Sequence, residues 1–454
     1  MDAYEWANSI FGSTDLGDSR RTDRLVNMVG AIVSCPESTL SKAFARESSN
    51  KGAQRFFSNK SISNEDITLA LIDNTFSQMK KKERIFLIQD TSHLNYDGHS
   101  ETKGLGHIGS TRDRSFQGIM MHWTMALDEK ANPLGLAHLK LWERVKNPRK
   151  LKVQEHQIKP IEKKESYKWL EAVEFLDGRM PEKVQPIWVA DRESDIFEFM
   201  DCVTQRSQDF VIRSNNNRII LDEEKLLRER VKKAAVIGRG ELEVLTLQRK
   251  KRRILVEFKS CKVTLKAQGK RGAARSKHVC NDQEIYGVQV KSMDSRYKLE
   301  WLLLTTLEVV TLKDIEDVIW IYRQRWQIEN LHKTLKSGFL VENIRLNSAA
   351  KLERAIILLL SCALRVYSIS RQQRKNPNNL ASDVLSKTEC ALISKINHKR
   401  KDYVPTIKEA WLWIGYLGGF RGSKNSSPPG QITFWRGFTV LQNLAKGATM
   451  MAGN

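Results

Sequence analysis

KKERIFLIQD, residues 81–90, and QPIWVAD, residues 185–191, decide how the chain is read. In each, four consecutive apolar residues, Ile85 to Ile88 and Ile187 to Ala190, run without polar alternation towards a terminal aspartate. A short unbroken apolar run predicts a strand buried on both faces, as in the central sheet of an α/β protein. Asp90 and Asp191 then stand at the C-terminal ends of two core strands. Taken singly, each has an ordinary explanation, because aspartate often ends a strand as a turn residue or caps the next helix, and RESDIFEFM after Asp191 is helix-like. Two strands with the same ending say more than either alone.

A third carboxylate lies far downstream, in IYRQRWQIENLHKTLKSG, residues 321–338. A helix is expected from about residue 312, where Thr311 and Asp314 are spaced as a capping box, to a stop at Ser337-Gly338. At about 100° per residue, Tyr322, Arg325, Glu329 and Lys336 fall within roughly 60° of one another. Ile321, Ile328, Leu331 and Leu335 form a separate apolar stripe. Glu329 by itself reads as an intrahelical ion pair with Arg325 or Lys333, each four residues away. Together with Asp90 and Asp191 it reads as the third ligand of a divalent-cation site. Hard cations need oxygen ligands, and two of them about 4 Å apart stabilise both the attacking and the leaving oxygen of a phosphoryl transfer.

The charge balance points to the substrate. Lys and Arg number 75 against 53 Asp and Glu in 454 residues, a formal charge of +22, which suits a polyphosphate partner far better than an anionic membrane surface without a lipidation motif. The longest apolar run, Ile356 to Leu364, contains Ser361 and Cys362 and is bracketed by Arg354 and Arg365, so it reads as a buried core helix and not a membrane span. MDAYEWANSIFG shows neither a basic nor an apolar export region, and a cytoplasmic protein is expected. The six cysteines, at 35, 202, 261, 280, 362 and 390, form no CxxC pair and are expected to be reduced.

Around the core strands the chain divides by pattern. Residues 1–62 read as a small helical unit. In SRRTDRLVNMVGAI an apolar stripe of Leu25, Met28, Val29 and Ile32 is flanked by Arg20 and Arg24, and basic residues recur at Lys42, Arg46, Lys51 and Arg55, as on a DNA-contacting surface. From about 211 to 306 alternating segments such as RRILVEFK, CKVTLKA and EWLLLTT predict an antiparallel sheet inserted before the last helix of the α/β domain. Residues 249–277 hold twelve Lys or Arg against the single acid Glu257, so this region is strongly basic, with GKRGAARSK read as a solvated loop. Beyond 366 a helical, Trp-bearing tail follows, broken by LGGFRGSKNSSPPG.

These motifs together resemble the bacterial cut-and-paste DDE transposases of the insertion-sequence-four group, nearest its Tn-five branch. The resemblance rests on the spacing of Tyr322, Arg325, Glu329 and Lys336, on DRESDI at 191–196 and on IQDTSHLNY around Asp90. It extends to LGDSRRTDRLVN, FVIRS with Arg213, WLLLT beginning at Trp301 and LGGF at 417–420. It implies an RNase H-like catalytic core with an inserted antiparallel β-sheet at residues 63–365, flanked by a helical DNA-end-binding domain at 1–62 and a helical dimerisation domain at 366–454. It also implies two Mg2+ ions held by Asp90, Asp191 and Glu329, with Mn2+ as a substitute. Tyr322, Arg325, Lys333, Lys336 and Arg213 would hold DNA phosphates, and Trp301 would stack on a flipped base with Trp326 nearby. Arg20, Arg21, Arg24 and Arg55 would contribute to end recognition. The implied partners are double-stranded DNA, as transposon ends and target, and a second copy of the chain in a synaptic homodimer, with no membrane. The expected setting is the bacterial cytoplasm, at the nucleoid when DNA is bound. The rival expectation is a catalytically silent, transposase-derived DNA-binding regulator. Retention of all three carboxylates favours the enzyme, because an unneutralised acid repels DNA.

Overall fold

The computed structural model describes residues 3–34, 40–44, 46–109, 116–145, 159–245, 251–267, 280–398, 403–422 and 428–452. Cys35, the GKRGAARSK loop and most of KNSSPPG lie outside the described residues. The fold is a mixed α/β arrangement around one ten-stranded sheet. Its strands are β1 (Arg84–Asn95), β2 (Gly106–His107), β3 (Gln117–Asp128), β4 (Pro133–Trp142), β5 (Gln185–Ala190), β6 (Asp209–Arg213), β7 (Val236–Leu245), β8 (Lys251–Leu265), β9 (Gln283–Ser292) and β10 (Glu300–Thr305). They lie in the order β2-β3-β1-β5-β6-β10-β9-β8-β7, with β4 also on β3. β1, β5 and β6 are mutually parallel in sequence of pairing, and the other ladders are antiparallel.

The two apolar runs that open the sequence reading are β1 and β5, and their alternation shows why they lack polar residues. Ile85 and Leu87 of β1, with Trp188 and Ala190 of β5, pack into a cluster on one face, while Phe86 and Ile88, with Ile187 and Val189, pack on the other. The antiparallel strands expected over about 211–306 do form, with one correction. They are not a sheet of their own, because β6 pairs parallel with β5 and its far edge is closed by β10, through Arg213–Leu303, Ile212–Leu304 and Val211–Thr305. An open β6 edge would leave unpaired backbone groups at the centre of the protein, so the later strands extend the core sheet.

The helices are α1 (Ala3–Phe11), α2 (Ser19–Ser34), α3 (Leu40–Ala43), α4 (Glu47–Ser58), α5 (Asn64–Met79), α6 (Lys168–Leu176), α7 (Phe197–Thr204), α8 (Leu227–Lys233), α9 (Leu312–Arg323), α10 (Trp326–Lys333), α11 (Ala349–Lys375), α12 (Lys387–His398), α13 (Ile407–Leu417) and α14 (Gln431–Ala452). α6, α7 and α8 cover the face of Leu87 and Trp188. The other face carries α9 to α11, and the hydrophobic cluster there also takes in Phe11, Leu25 and Phe57 from the N-terminal helices and Trp411 and Phe434 from the C-terminal ones. α11 is buried from Ala355 to Leu364, as the apolar run predicts, and it continues through residue 365 because Val366, Tyr367 and Ile369 keep its apolar face going. Among the described residues no helix is long and apolar enough to cross a membrane.

One buried cation ties the N-terminal helices to this frame. Arg354 of α11 is 7 % exposed and donates to the carbonyls of Phe56, Phe57, Asn59 and Ile62 and to Asn64 Oδ1, at 2.6–3.1 Å. These carbonyls lie where α4 ends and the chain turns into α5; the Asn59 and Ile62 N–H groups reach those of Phe56 and Asn59, and the guanidinium adds a second donor to both while also serving Phe57 and Ile62. Arg354→Met should keep the packing volume but leave buried carbonyls unpaired, costing on the order of 3 kcal/mol. Urea denaturation should show that loss, and amide exchange should quicken at residues 56–62. An unchanged midpoint would show that water replaces the guanidinium without cost.

Candidate active site

The parallel ladder of β1 and β5 sets Ile88 opposite Val189, and two residues further on come Asp90 and Asp191. Asp191 follows the end of β5 as expected, whereas Asp90 is not at a strand end but inside β1, which runs on to Asn95 because β3 keeps pairing with it. Both side chains fall on the face of Phe86, Ile88, Ile187 and Val189, which is the face that α10 covers against β1. Asp90 is well shielded, its side chain 16 % exposed. Its Oδ1 accepts the Thr91 backbone N–H at 2.9 Å. Asp191 also serves its own turn, since its Oδ1 accepts the Glu193 N–H at 2.9 Å and so caps the short helix Arg192–Ser194. The capping role anticipated as its ordinary explanation is therefore present alongside its place beside Asp90. Asp195 then anchors this loop from below, accepting from Arg218 and from the backbone N–H groups of Asn215 and Asn216.

The helix that carries the third acid departs from the expected continuous rod. Its start is as read, with Thr311 and Asp314 forming a reciprocal capping box. It then breaks between α9 and α10, where Gln324, Arg325, Gln327 and Ile328 donate to carbonyls three residues back instead of four. A second irregularity follows at Thr334–Gly338, a π turn in which the Phe339 N–H reaches the Thr334 carbonyl. The apolar stripe survives both, with Ile321, Ile328, Leu331 and Leu335 all buried. The polar face does not survive as one surface. Tyr322 is 3 % exposed, Arg325 is largely buried, and Glu329 is half open to solvent.

Arg325 is the electrostatic centre. Its Nη2 lies 2.7 Å from Glu329 Oε1. The intrahelical pair anticipated as the ordinary reading of Glu329 is thus formed, and the same guanidinium also acts on Asp90. The Asp90 carboxyl is raised to about 7, chiefly by burial and further by the charges of Asp191 and Glu329, against the pull of Arg325 and the Thr91 N–H. Arg325 Nε is buried and has no hydrogen-bond partner among the described residues. Burial also raises the Tyr322 phenol, against the pull of Arg325 and Arg213, and the Arg325 guanidinium carbon lies 6.0 Å from the centre of its ring.

The remaining expected contacts are spread around this centre. Lys336 donates to the His93 carbonyl at 2.5 Å and lies 3.5 Å from Glu342, so it reaches the far end of β1. Lys333 is exposed. Arg213, at the end of β6, reaches the Glu300 carbonyl at 3.4 Å. Trp301 is half-buried on β10 and meets Tyr322 edge to face at 5.4 Å, while Trp326 is 45 % exposed at the start of α10. In the N-terminal helices, Arg20 is exposed and paired with Asp18, and Arg21 donates to the Leu16 carbonyl. Arg24 lies over Gly52 of α4 so closely that a Cβ there would stand 2.8 Å from its Cζ, and Arg55 is exposed. These four do not touch the acids. Sequence reading missed His332 and Trp123, which are joined by a 2.5 Å hydrogen bond from Trp123 Nε1 to His332 Nε2 beside Asp90. The only hint was that His332 stands one turn beyond Glu329.

Among the described residues no three His, Cys, Asp or Glu side chains form a ready cation cage, and Glu329 is engaged by Arg325 instead. The donor chemistry nevertheless fits a hard divalent cation. All three candidate ligands are carboxylates, and Asp90 is held up chiefly by its burial, with the charges of Asp191 and Glu329 adding to it against the pull of Arg325. The sign of that shift is testable without metal. A carboxyl raised in the fold takes up a proton on folding, so ionised Asp90 costs stability progressively as pH rises from about 4 to about 7. Asp90→Asn should therefore raise the denaturation midpoint of the metal-free protein at pH 8 and leave it unchanged at pH 4. Equal midpoints at both pH values would mean that the site already balances the charge.

Comparison with known families separates the chain into matched regions. Residues 3–62 match the family model for transposase DNA-binding, and residues 164–365 match that for the transposase DDE domain. Asp191, Arg325 and Glu329 lie inside the second match, whereas Asp90 lies outside it and joins them through the β1–β5 pairing. A DDE domain implies an RNase H-like α/β core and the use of divalent metal ions, in keeping with the mixed sheet and with Asp90 within β1 beside Asp191 at the end of β5. Matched at both its N-terminal helices and its core, the chain belongs to the DDE transposases.

Proposed function

We propose that this DNA transposase works by cut and paste, in the manner of the insertion-sequence-four group and its Tn-five branch. It binds transposon ends, cleaves donor DNA by metal-dependent phosphoryl transfer through a hairpin intermediate, and joins the ends to target DNA. The observation that carries the reading is the placing of Asp90 beside Asp191, under the helix that bears Arg325 and Glu329. Residues 1–62 would recognise the ends, 63–365 would perform the chemistry, and 366–454 would hold two copies together at synapsis.

Asp90, Asp191 and Glu329 would hold two Mg2+ ions, or Mn2+ in their place. Bound there, the cations would activate the attacking hydroxyl and stabilise the leaving oxygen. The protein groups around the acids are suited to hold the strand. Among the described residues Arg325 Nε has no partner, so the guanidinium keeps a donor that a phosphate oxygen could take once the pair with Glu329 opens. The buried Tyr322 ring would back that guanidinium, whose carbon lies 6.0 Å from the ring centre. Arg213, Lys333 and Lys336 add positive charge at the end of β6 and along the outer turn of the helix. A silent regulator would gain nothing from three acids in such a groove, since each repels phosphate.

Trp301 fits the hairpin step. A tight turn at a DNA end is relieved by expelling a base, at a cost of a few kcal/mol in stacking, and an aromatic platform returns about 1–3 kcal/mol of it. The edge contact with Tyr322 would hold the indole for that purpose.

With DNA bearing the element's own ends, cleavage should require Mg2+ or Mn2+. Asp90→Ala, Asp191→Ala and Glu329→Ala should each abolish it while gel-shift binding persists. Wild-type cleavage by any of the three would remove that residue from the site. Trp301→Ala should leave the first nick intact and slow hairpin formation about tenfold to a hundredfold, with partial rescue by an abasic nucleotide at the flipped position. Parallel loss of both steps without rescue would make Trp301 a core residue.

A further inference from the structure

Asp90 has a neighbour that the proposed chemistry does not use. His332 follows Glu329 by one turn of α10, is 11 % exposed, and has Nδ1 3.8 Å from Asp90 Oδ2. Its other nitrogen, Nε2, receives the indole N–H of Trp123 at 2.5 Å. Trp123 is in turn the residue directly opposite Asp90 in the β1–β3 ladder, and it is fully buried. Three side chains from three distant parts of the chain therefore close a ring: Asp90, its cross-strand partner Trp123, and His332 bridging from the helix above.

The chemistry of this ring has one solution. An indole N–H only donates, so the Nε2 that receives it carries no proton. A neutral imidazole then keeps its hydrogen on Nδ1, the atom turned to Asp90. We propose that His332 is a positioning residue for Asp90, an uncharged N–H donor whose tautomer is set by Trp123. It would orient the carboxylate without competing with a cation for it. The present 3.8 Å is too long for a hydrogen bond. It leaves the second oxygen of Asp90 facing a donor and the first held by the Thr91 N–H. Lysine or arginine at this position would add a charge against the cation, and serine or threonine would not span from the helix to both partners. This inference rests on the reading of Asp90 as a metal ligand.

The test is Mn2+ binding to the full-length protein without DNA, read as loss of the free-ion electron paramagnetic resonance signal, beside thermal unfolding of each variant. His332→Phe fills the space but offers no N–H. His332→Asn restores a donor, and Trp123→Phe removes the group that sets the tautomer while keeping the imidazole. Loss of an outer-shell partner typically weakens metal binding about 10- to 100-fold. His332→Phe should fall in that range, Trp123→Phe should fall part of the way, and His332→Asn should recover most of the affinity. The metal concentration for half-maximal cleavage should rise in step, with the rate at saturating metal changed less. Wild-type Mn2+ affinity in folded His332→Phe, or equal losses in His332→Phe and His332→Asn, would overturn the positioning role. Should His332→Phe fail to fold, Trp123→Phe with wild-type affinity would overturn it as well. An Asp90→Asn control that binds Mn2+ like wild type would overturn the metal reading itself, and with it this proposal.

Discussion

The parallel pairing of β1 with β5 is the constraint on which the site depends. Parallel strands start from the same edge, so two aspartates at equivalent depths must emerge side by side, and nothing in the 100 or so residues between them has to be adjusted to bring this about. The pairing demands burial on both faces, which explains the unbroken apolar runs before each acid. The ladder ends at Ile88 and Val189, beyond which β1 continues to Asn95 against β3 alone, so both acids lie just past it, where β5 gives way to a loop. Every other element of the site is positioned relative to that point: α10 lies across β1, β6 follows β5 in parallel, and the later antiparallel strands close the side that would otherwise be open.

Bringing carboxylates together creates a charge problem, and the structure meets it with one residue. Arg325 pairs with Glu329 and offsets the Asp90 charge from a buried position, just where the helix breaks. The break and the neutralisation are related. The tightened turns at Gln324–Ile328 reset the helix so that Arg325 dips into the core side while Glu329 stays half open. A guanidinium cannot lose its charge, so it is a durable counter-ion, and it is also a phosphate ligand. The same group therefore suits the protein without DNA and the protein with it.

Much of this was legible in the sequence, and the limits have physical causes. β1 and β5 were readable because doubly buried strands leave a continuous apolar signature. The capping box at Thr311 and Asp314 was readable because it is local. The break at Gln324–Arg325 was not, since both residues are good helix formers and the interruption comes from packing. The helical wheel consequently placed Tyr322 on an open face, where the structure buries it. The antiparallel character of the later strands could be seen in their alternation, but which edge they would join could not, because that depends on the unpaired side of β6. Trp123 carries no local signal of its role, because its partner His332 lies 209 residues away. Arg354 likewise read as a flank of an apolar run, when it holds the turn between two N-terminal helices.

The central claim is that the end of the β1–β5 ladder is a cation site. Its most direct test is diffraction from crystals soaked in Mn2+, with data collected at the manganese absorption edge. The account predicts an anomalous peak within coordination distance of both the Asp90 and Asp191 carboxylates, with Glu329 released from Arg325. Anomalous density elsewhere, or none at that point with the Arg325–Glu329 pair still closed at millimolar Mn2+, would contradict it.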